Sequence, residues 1–182
     1  MIMNSNITIK YLLAVIISVL FTWVSHEFIH WLTYQLMGYE ALMTLNKVSP
    51  INSIPTVAHS MIASATGPIM TIIQATIIYC FLNYKKWSIY LYPLLLTAFY
   101  MRFLAGLFNL INPNDEGRIS EYLGIGLFTL SIVVSGFLFY LVYKISMKYK
   151  LTAKFQAITI FTIIIASSCI ILLDQSYKIR IL

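Results

Sequence analysis

Three long stretches of the chain, residues 48–84, 122–143 and 155–173, contain no Asp, Glu, Lys or Arg. Each approaches or exceeds the ~20 residues that a helix needs to cross the hydrocarbon core of a bilayer. Only 10% of the 182 residues are charged and 60% are hydrophobic, against roughly 25% charged in an ordinary soluble domain. This excludes a soluble globular protein and points to a polytopic integral membrane protein. Backbone polar groups in hydrocarbon need internal partners, and the apolar runs lack the alternation of a barrel strand. The expected fold class is therefore all-α, with about five transmembrane helices at Tyr11–Met37, Thr56–Leu82, Trp87–Ile111, Ile119–Tyr143 and Phe155–Leu173. Residues 1–182 read as a single membrane domain.

Gly38–Pro55 is the one sizeable connection, and its two prolines and β-branched residues are compatible with a short strand or a re-entrant segment. Such a segment could receive an extended polypeptide by strand addition. Lys10 precedes an apolar run, but no small-residue cleavage site closes it, so a retained first span is expected. The 12 basic and 6 acidic residues give +6, yet the lysines lie between apolar runs and form no stripe, so no nucleic-acid partner is expected. Cys80 and Cys169 lie singly in apolar runs and read as lipid-facing or packing residues. Tyr, Trp and Phe near span ends read as interface anchors.

With five spans, Lys10, Lys85, Lys86, Lys144, Lys148, Lys150 and Lys154 fall on one side, and Lys47, Arg118, Lys178 and Arg180 on the other. The basic excess favours a multi-pass protein of the cell membrane with a cytoplasmic N-terminus.

The first expected span contains His26-Glu27-Phe28-Ile29-His30. Histidines four apart lie about 40° apart around a helix, one turn above each other, so both imidazoles can reach one Zn²⁺. Glu27 flanks the same arc as a general base. An ionisable cluster inside a membrane helix is expensive without partners, which strengthens a metal reading. Two histidines leave a zinc site incomplete, and the residue six after His30, where a third histidine stands in extended motifs, is Leu36. The third ligand must come from a distant segment. Asn109-Leu110-Ile111-Asn112-Pro113-Asn114-Asp115-Glu116-Gly117-Arg118-Ile119 breaks helix and offers carboxylates, with Asp115 the first candidate and Glu116 the second. His26 lies about 22 Å along the first span from Tyr11, and the parallel third span ends at Ile111, so His26, His30 and Asp115 fall at similar depth.

These motifs together resemble the site-2 protease family of intramembrane zinc metalloproteases. The HExxH at His26–His30 is similar to the first family motif, and Ala65-Thr66-Gly67-Pro68 to the small-Gly-Pro segment of the next core helix. Asn109 through Ile119 resembles the Asn-Leu-Leu-Pro … Asp-Gly-Gly-Arg segment that supplies the third ligand. The likeness covers roughly residues 15–125. It implies a three-helix metalloprotease core at 8–125, with 126–182 as additional transmembrane helices and no regulatory domain. It further implies one Zn²⁺ per chain on His26, His30 and Asp115, with Glu27 and Asn109 as catalytic residues, Asn109 as hydrogen-bond donor to the substrate carbonyl. The segment from Asn109 to Asp115 is two residues shorter than the common family form, and Glu116 replaces a glycine, so the choice between Asp115 and Glu116 stays open.

The implied partners are a membrane protein or peptide substrate and the bilayer itself, with a gating partner or homo-oligomer left open. A non-catalytic scaffold with a structural or vestigial zinc site is the alternative, and hydrolysis of a small amphiphile a third reading. Arg102 is expected to pair with Glu116 or Glu121, His59 to sit at the interface, and Gly67-Pro68 to allow close helix approach and a bend.

Overall fold

A computed structural model describes residues 7–85 and 87–182 of the chain. Lys86, counted in the charge asymmetry above, lies outside the described residues. The element order is α1 (Ile9–Leu36), β1 (Ala41–Met43), β2 (Val48–Pro50), α2 (Val57–Tyr84), α3 (Tyr92–Phe108), α4 (Asp115–Tyr122), α5 (Thr129–Tyr149) and α6 (Ala153–Tyr177). The fold is helical, as the apolar runs demand, with one small hairpin.

Four helices, α1, α2, α5 and α6, are long and apolar enough to cross a membrane. The expected count of five is thereby corrected. The third expected span, Trp87–Ile111, is realised as α3, whose 17 residues make about 26 Å, short of the ~30 Å hydrocarbon core. Pro93 sits at its first turn, where a missing N–H is harmless. The fourth expected span, Ile119–Tyr143, is also corrected: it is divided between α4 and α5. Gly124 and Gly126 adopt φ of +68° and +92°, a left-handed backbone that ends α4 and delays the next helix to Thr129.

Threonines start three of the long helices. Thr8, Thr56 and Thr152 each accept a hydrogen bond from a backbone N–H three residues on, at 3.2 Å. At one end of the bundle Tyr11, Val15, Val19, Leu82, Tyr92, Leu138, Ile145 and Phe155 form the apolar core. The outward faces are apolar as well: Leu13, Ile17 and Phe21 on α1 and Phe161, Ile165 and Leu172 on α6 are exposed. Belts of this extent on long helices suit lipid, not water. Cys80 and Cys169 are exposed on such faces.

Gly38–Pro55 forms a short antiparallel pair, with Ala41, Leu42 and Met43 facing Pro50, Ser49 and Val48. The other edge of β1 is taken by the chain's last residues: Met43 N–H donates to the Leu182 carbonyl (2.9 Å) and Ile181 N–H to the Met43 carbonyl (2.8 Å). Side chains fasten the hairpin to the bundle. Trp23 Nε1–H donates to Asn46 Oδ1 (2.9 Å) and Trp31 Nε1–H to the Ala41 carbonyl (3.0 Å). The buried Asp174 at the end of α6 accepts from Thr44 Oγ1 (3.1 Å) and Leu45 N–H (3.0 Å).

Asp174→Ala would leave the Leu45 N–H without its acceptor, while Thr44 Oγ1 keeps the Lys47 carbonyl at 3.1 Å, a loss of about 1 kcal/mol. Thermal unfolding in detergent should show a lowered midpoint for Asp174→Ala. An unchanged midpoint would mean that the two tryptophan anchors hold the hairpin alone.

Candidate metal centre

The antiparallel pair α1–α2 sets the geometry of the site. His26 and His30 lie ten and six residues before the end of α1, and Gly67 lies ten residues after the start of α2, so all three fall about 9–15 Å from the same end of the bundle. A Cβ on Gly67 would meet His30 Nε2 at 2.3 Å and His26 Cε1 at 2.4 Å. The absent side chain is the space in which the two imidazoles stand. Pro68 follows directly inside the helix and removes a backbone donor from the same turn.

The outer ring nitrogens fix the tautomers. His30 Nδ1 lies 2.7 Å from the Ala63 carbonyl, which can only accept, so Nδ1 donates. His26 Nδ1 lies 3.2 Å from Thr71 Oγ1, whose hydroxyl is spent on the Gly67 carbonyl at 3.1 Å, so this Nδ1 also donates. In their neutral form both rings then direct an Nε2 lone pair inward. The two Nε2 atoms are 3.1 Å apart. Asp115 Oδ2 lies 3.2 Å from His26 Nε2 and 3.4 Å from His30 Nε2.

Three acceptor atoms so placed repel one another unless a proton or a metal ion lies between them. The edge of a tetrahedron drawn around Zn²⁺ with ligands at 2.0–2.1 Å is about 3.3 Å, which the three separations match. His26, His30 and Asp115 are a group that could hold a metal ion. Donor chemistry, tautomers and spacing all fit. Holding each histidine through its second nitrogen is the usual way a protein orients a metal-binding imidazole.

Asp115 reaches the site because of how α3 ends. Asn109 accepts from Asn114 N–H at its Oδ1 (2.7 Å) and donates through Nδ2 to Ser131 Oγ (2.9 Å). Asn114 Nδ2 donates to the Ala105 carbonyl (3.0 Å). These bonds fold 109–114 into a compact turn and start α4 at Asp115. A Cβ on Gly117 would meet Asn109 Oδ1 at 2.5 Å, so this glycine lets α4 lie against the turn. Arg118 holds the other oxygen of Asp115, its NH2 lying 2.9 Å from Oδ1, which leaves Oδ2 free to face the histidines.

The remaining sequence candidates separate clearly. Glu27 is buried, lines the same cavity and has no hydrogen-bond partner among the described residues. Glu116 faces away from the histidines and pairs with Arg102, whose NH1 lies 3.2 and 3.3 Å from its two oxygens. Asn109 is committed to Ser131 and the turn. His59 sits apart from the cavity, with Nδ1 2.7 Å from the Tyr39 hydroxyl. The sequence reading missed Thr71, the Ala63 carbonyl and Arg118 as supports of the triad. Arg102 pairs with Glu116, one of its two expected partners, and its NH2 also lies 3.4 Å from His26 Nε2.

The triad opens into a cavity of about 590 Å³ walled by α1, α2, α3, α4 and the hairpin, with Tyr34, Asn46, Lys47, Val48, Asn112 and Arg118 among its lining. Its polar lining can hold water in an otherwise apolar bundle. No protein family, curated protein or solved structure matches the chain.

Gly67→Ala drives a methyl group into both imidazoles and should reduce bound metal from about one per chain to near zero. Gly136→Ala, where an added Cβ meets nothing within 4 Å, should retain it. Elemental analysis of the two purified variants checks the pair.

Proposed function

We propose that the chain is an integral-membrane zinc metalloprotease of the kind the site-2 protease family represents, hydrolysing peptide bonds of membrane-associated or transmembrane polypeptides. The observation that supports this best is the tetrahedral spacing of His26 Nε2, His30 Nε2 and Asp115 Oδ2, with the unpaired Glu27 carboxyl on the same cavity wall. Three protein ligands leave one position open, as a catalytic rather than a structural zinc site requires. A zinc ion bound there supplies Lewis acidity and a water whose pKa falls to about 7.

Glu27 takes a proton from the attacking water as the water oxygen bonds to the substrate carbonyl carbon, and returns it to the departing amine nitrogen. Asn109 serves by holding the turn that presents Asp115. Thr71 and Ala63 hold the imidazoles in the tautomer that binds metal. Arg118 keeps Asp115 on one oxygen.

The hairpin supports an approach for the substrate. Val48 faces Met43 in a pair that exchanges no backbone hydrogen bonds, so its own N–H and C=O point away from β1, and Val48 lines the cavity. An extended segment pairing with this edge would run beside the triad. Val48→Pro removes the edge donor where an edge proline is tolerated. It should lower kcat/KM by roughly tenfold, the worth of one hydrogen bond, with zinc content unchanged. Equal kcat/KM in this variant would exclude pairing at Val48.

The excess of basic residues on the side of Lys10 supports a cytoplasmic N-terminus. Glu27→Gln tests the reading as a whole. It keeps size and fold, should retain about one zinc, and should lower cleavage of transmembrane substrates by at least ~100-fold. Wild-type biological function in this variant, with zinc retained and cleavage absent, would transfer the chain to the scaffold reading, in which the metal is structural.

A further inference from the structure

Arg102 is the one charged residue of α3, and its side chain is only 3% exposed. A buried guanidinium that merely neutralises a carboxylate presents two parallel N–H groups to its two oxygens. Arg102 does otherwise. Both oxygens of Glu116 are served by NH1 alone, at 3.2 and 3.3 Å. NH2 is turned towards the triad, 3.4 Å from His26 Nε2, and NH1 also lies 3.6 Å from Asp115 Oδ2. Nε is buried and has no partner. The guanidinium lines the cavity.

In the hydrolase reading the lone pair of His26 Nε2 belongs to the metal, so it ceases to be an acceptor for NH2. The NH2 hydrogens are then unspent, on a fixed positive charge, in the wall beside the reacting atoms. Asn109, the donor expected from the sequence, is buried, fastened to Asn114 and Ser131, and does not line the cavity that Arg102 lines. We infer that Arg102 is the catalytic residue that stabilises the developing oxyanion. The inference rests on the proposed hydrolase reading.

As the water oxygen bonds to the carbonyl carbon and its proton passes to Glu27, the π pair moves onto the carbonyl oxygen. Arg102 donates a hydrogen bond to that oxygen and keeps its own proton. When the C–N bond breaks, its electron pair leaves with nitrogen, which takes the proton held by Glu27. A preorganised donor in a site of low dielectric is among the larger contributions to such a step.

Anion affinity at the metal centre reads this role without any turnover. The full chain, substituted with Co²⁺ in detergent, is titrated with phenylphosphinate, a tetrahedral anion, and separately with neutral imidazole, both followed by the cobalt d–d absorbance. Arg102→Met should bind phenylphosphinate about tenfold more weakly than wild type, or worse still, with imidazole affinity unchanged. Glu116→Gln breaks the same ion pair but keeps the guanidinium, so its phenylphosphinate Kd should stay near wild type. Arg102→Met leaves Glu116 unpaired and can fail to fold, so Arg102→Met/Glu116→Gln, which removes both charges, carries the same expectation. A wild-type phenylphosphinate Kd in the double variant overturns the role of Arg102. Equal weakening in Glu116→Gln and Arg102→Met also overturns it, since only the ion pair would then matter. A wild-type chain that takes up no cobalt overturns the hydrolase reading and this inference with it.

Discussion

The structure depends on one close approach, that of the α2 backbone at Gly67 to the imidazoles of α1. The distances a Cβ would make there, 2.3 and 2.4 Å, mean that no other residue leaves room for both rings. Everything nearby follows from that contact. Because the helices meet at a glycine, the Ala63 carbonyl and the Thr71 hydroxyl come within hydrogen-bond reach of the two Nδ1 atoms. Each ring is thereby oriented from behind and its Nε2 turned towards the same point. The same contact is the reason a cluster of ionisable groups survives among apolar helices, where an unpartnered one would be costly.

Charge balance forms a second layer around the triad. The side chains in and around it supply three carboxylates, Glu27, Asp115 and Glu116, and two guanidiniums, Arg102 and Arg118. Glu116 is informative here. It stands where the resembled family has glycine, and Arg102 is its partner. A carboxylate added next to the third ligand would compete with Asp115 for metal if it were free. Tied to Arg102 on the far side, it brings a cation to the cavity wall instead.

Much of this was legible in the residues. The expected spans Thr56–Leu82 and Phe155–Leu173 became α2 and α6 nearly as drawn, because a long apolar run has few alternatives to helix. The HExxH spacing and Asp115 came together as the depth argument required, since helix rise is fixed and connections are short. Other features were hidden for identifiable reasons. The break between α4 and α5 turns on Gly124 and Gly126 in left-handed backbone, and a glycine in an apolar run does not announce its φ. Thr71 looks like any other small residue of a membrane helix until Gly67 brings α1 against it. The pairing of Ile181 and Leu182 with Met43 joins residues nearly 140 apart, and no local pattern marks it.

Asn109 and Arg102 illustrate the difference between a motif and the contacts it makes. Read in sequence, Asn109 sits in a segment similar to one that assists catalysis, while Arg102 is an isolated charge in need of a counter-ion. In three dimensions the turn from Asn109 to Asp115 gives both residues other contacts. The Asn109 carboxamide fastens that turn, accepting from Asn114 N–H and donating to Ser131. The side chain is buried, with its oxygen and one N–H bonded to protein. The same turn sets the start of α4 against α3, with Glu116 on Arg102 and the guanidinium turned towards the histidines. The grouping of His26, His30 and Asp115 therefore draws on two contacts, the α1–α2 approach that orients the imidazoles and the 109–114 turn that presents the carboxylate.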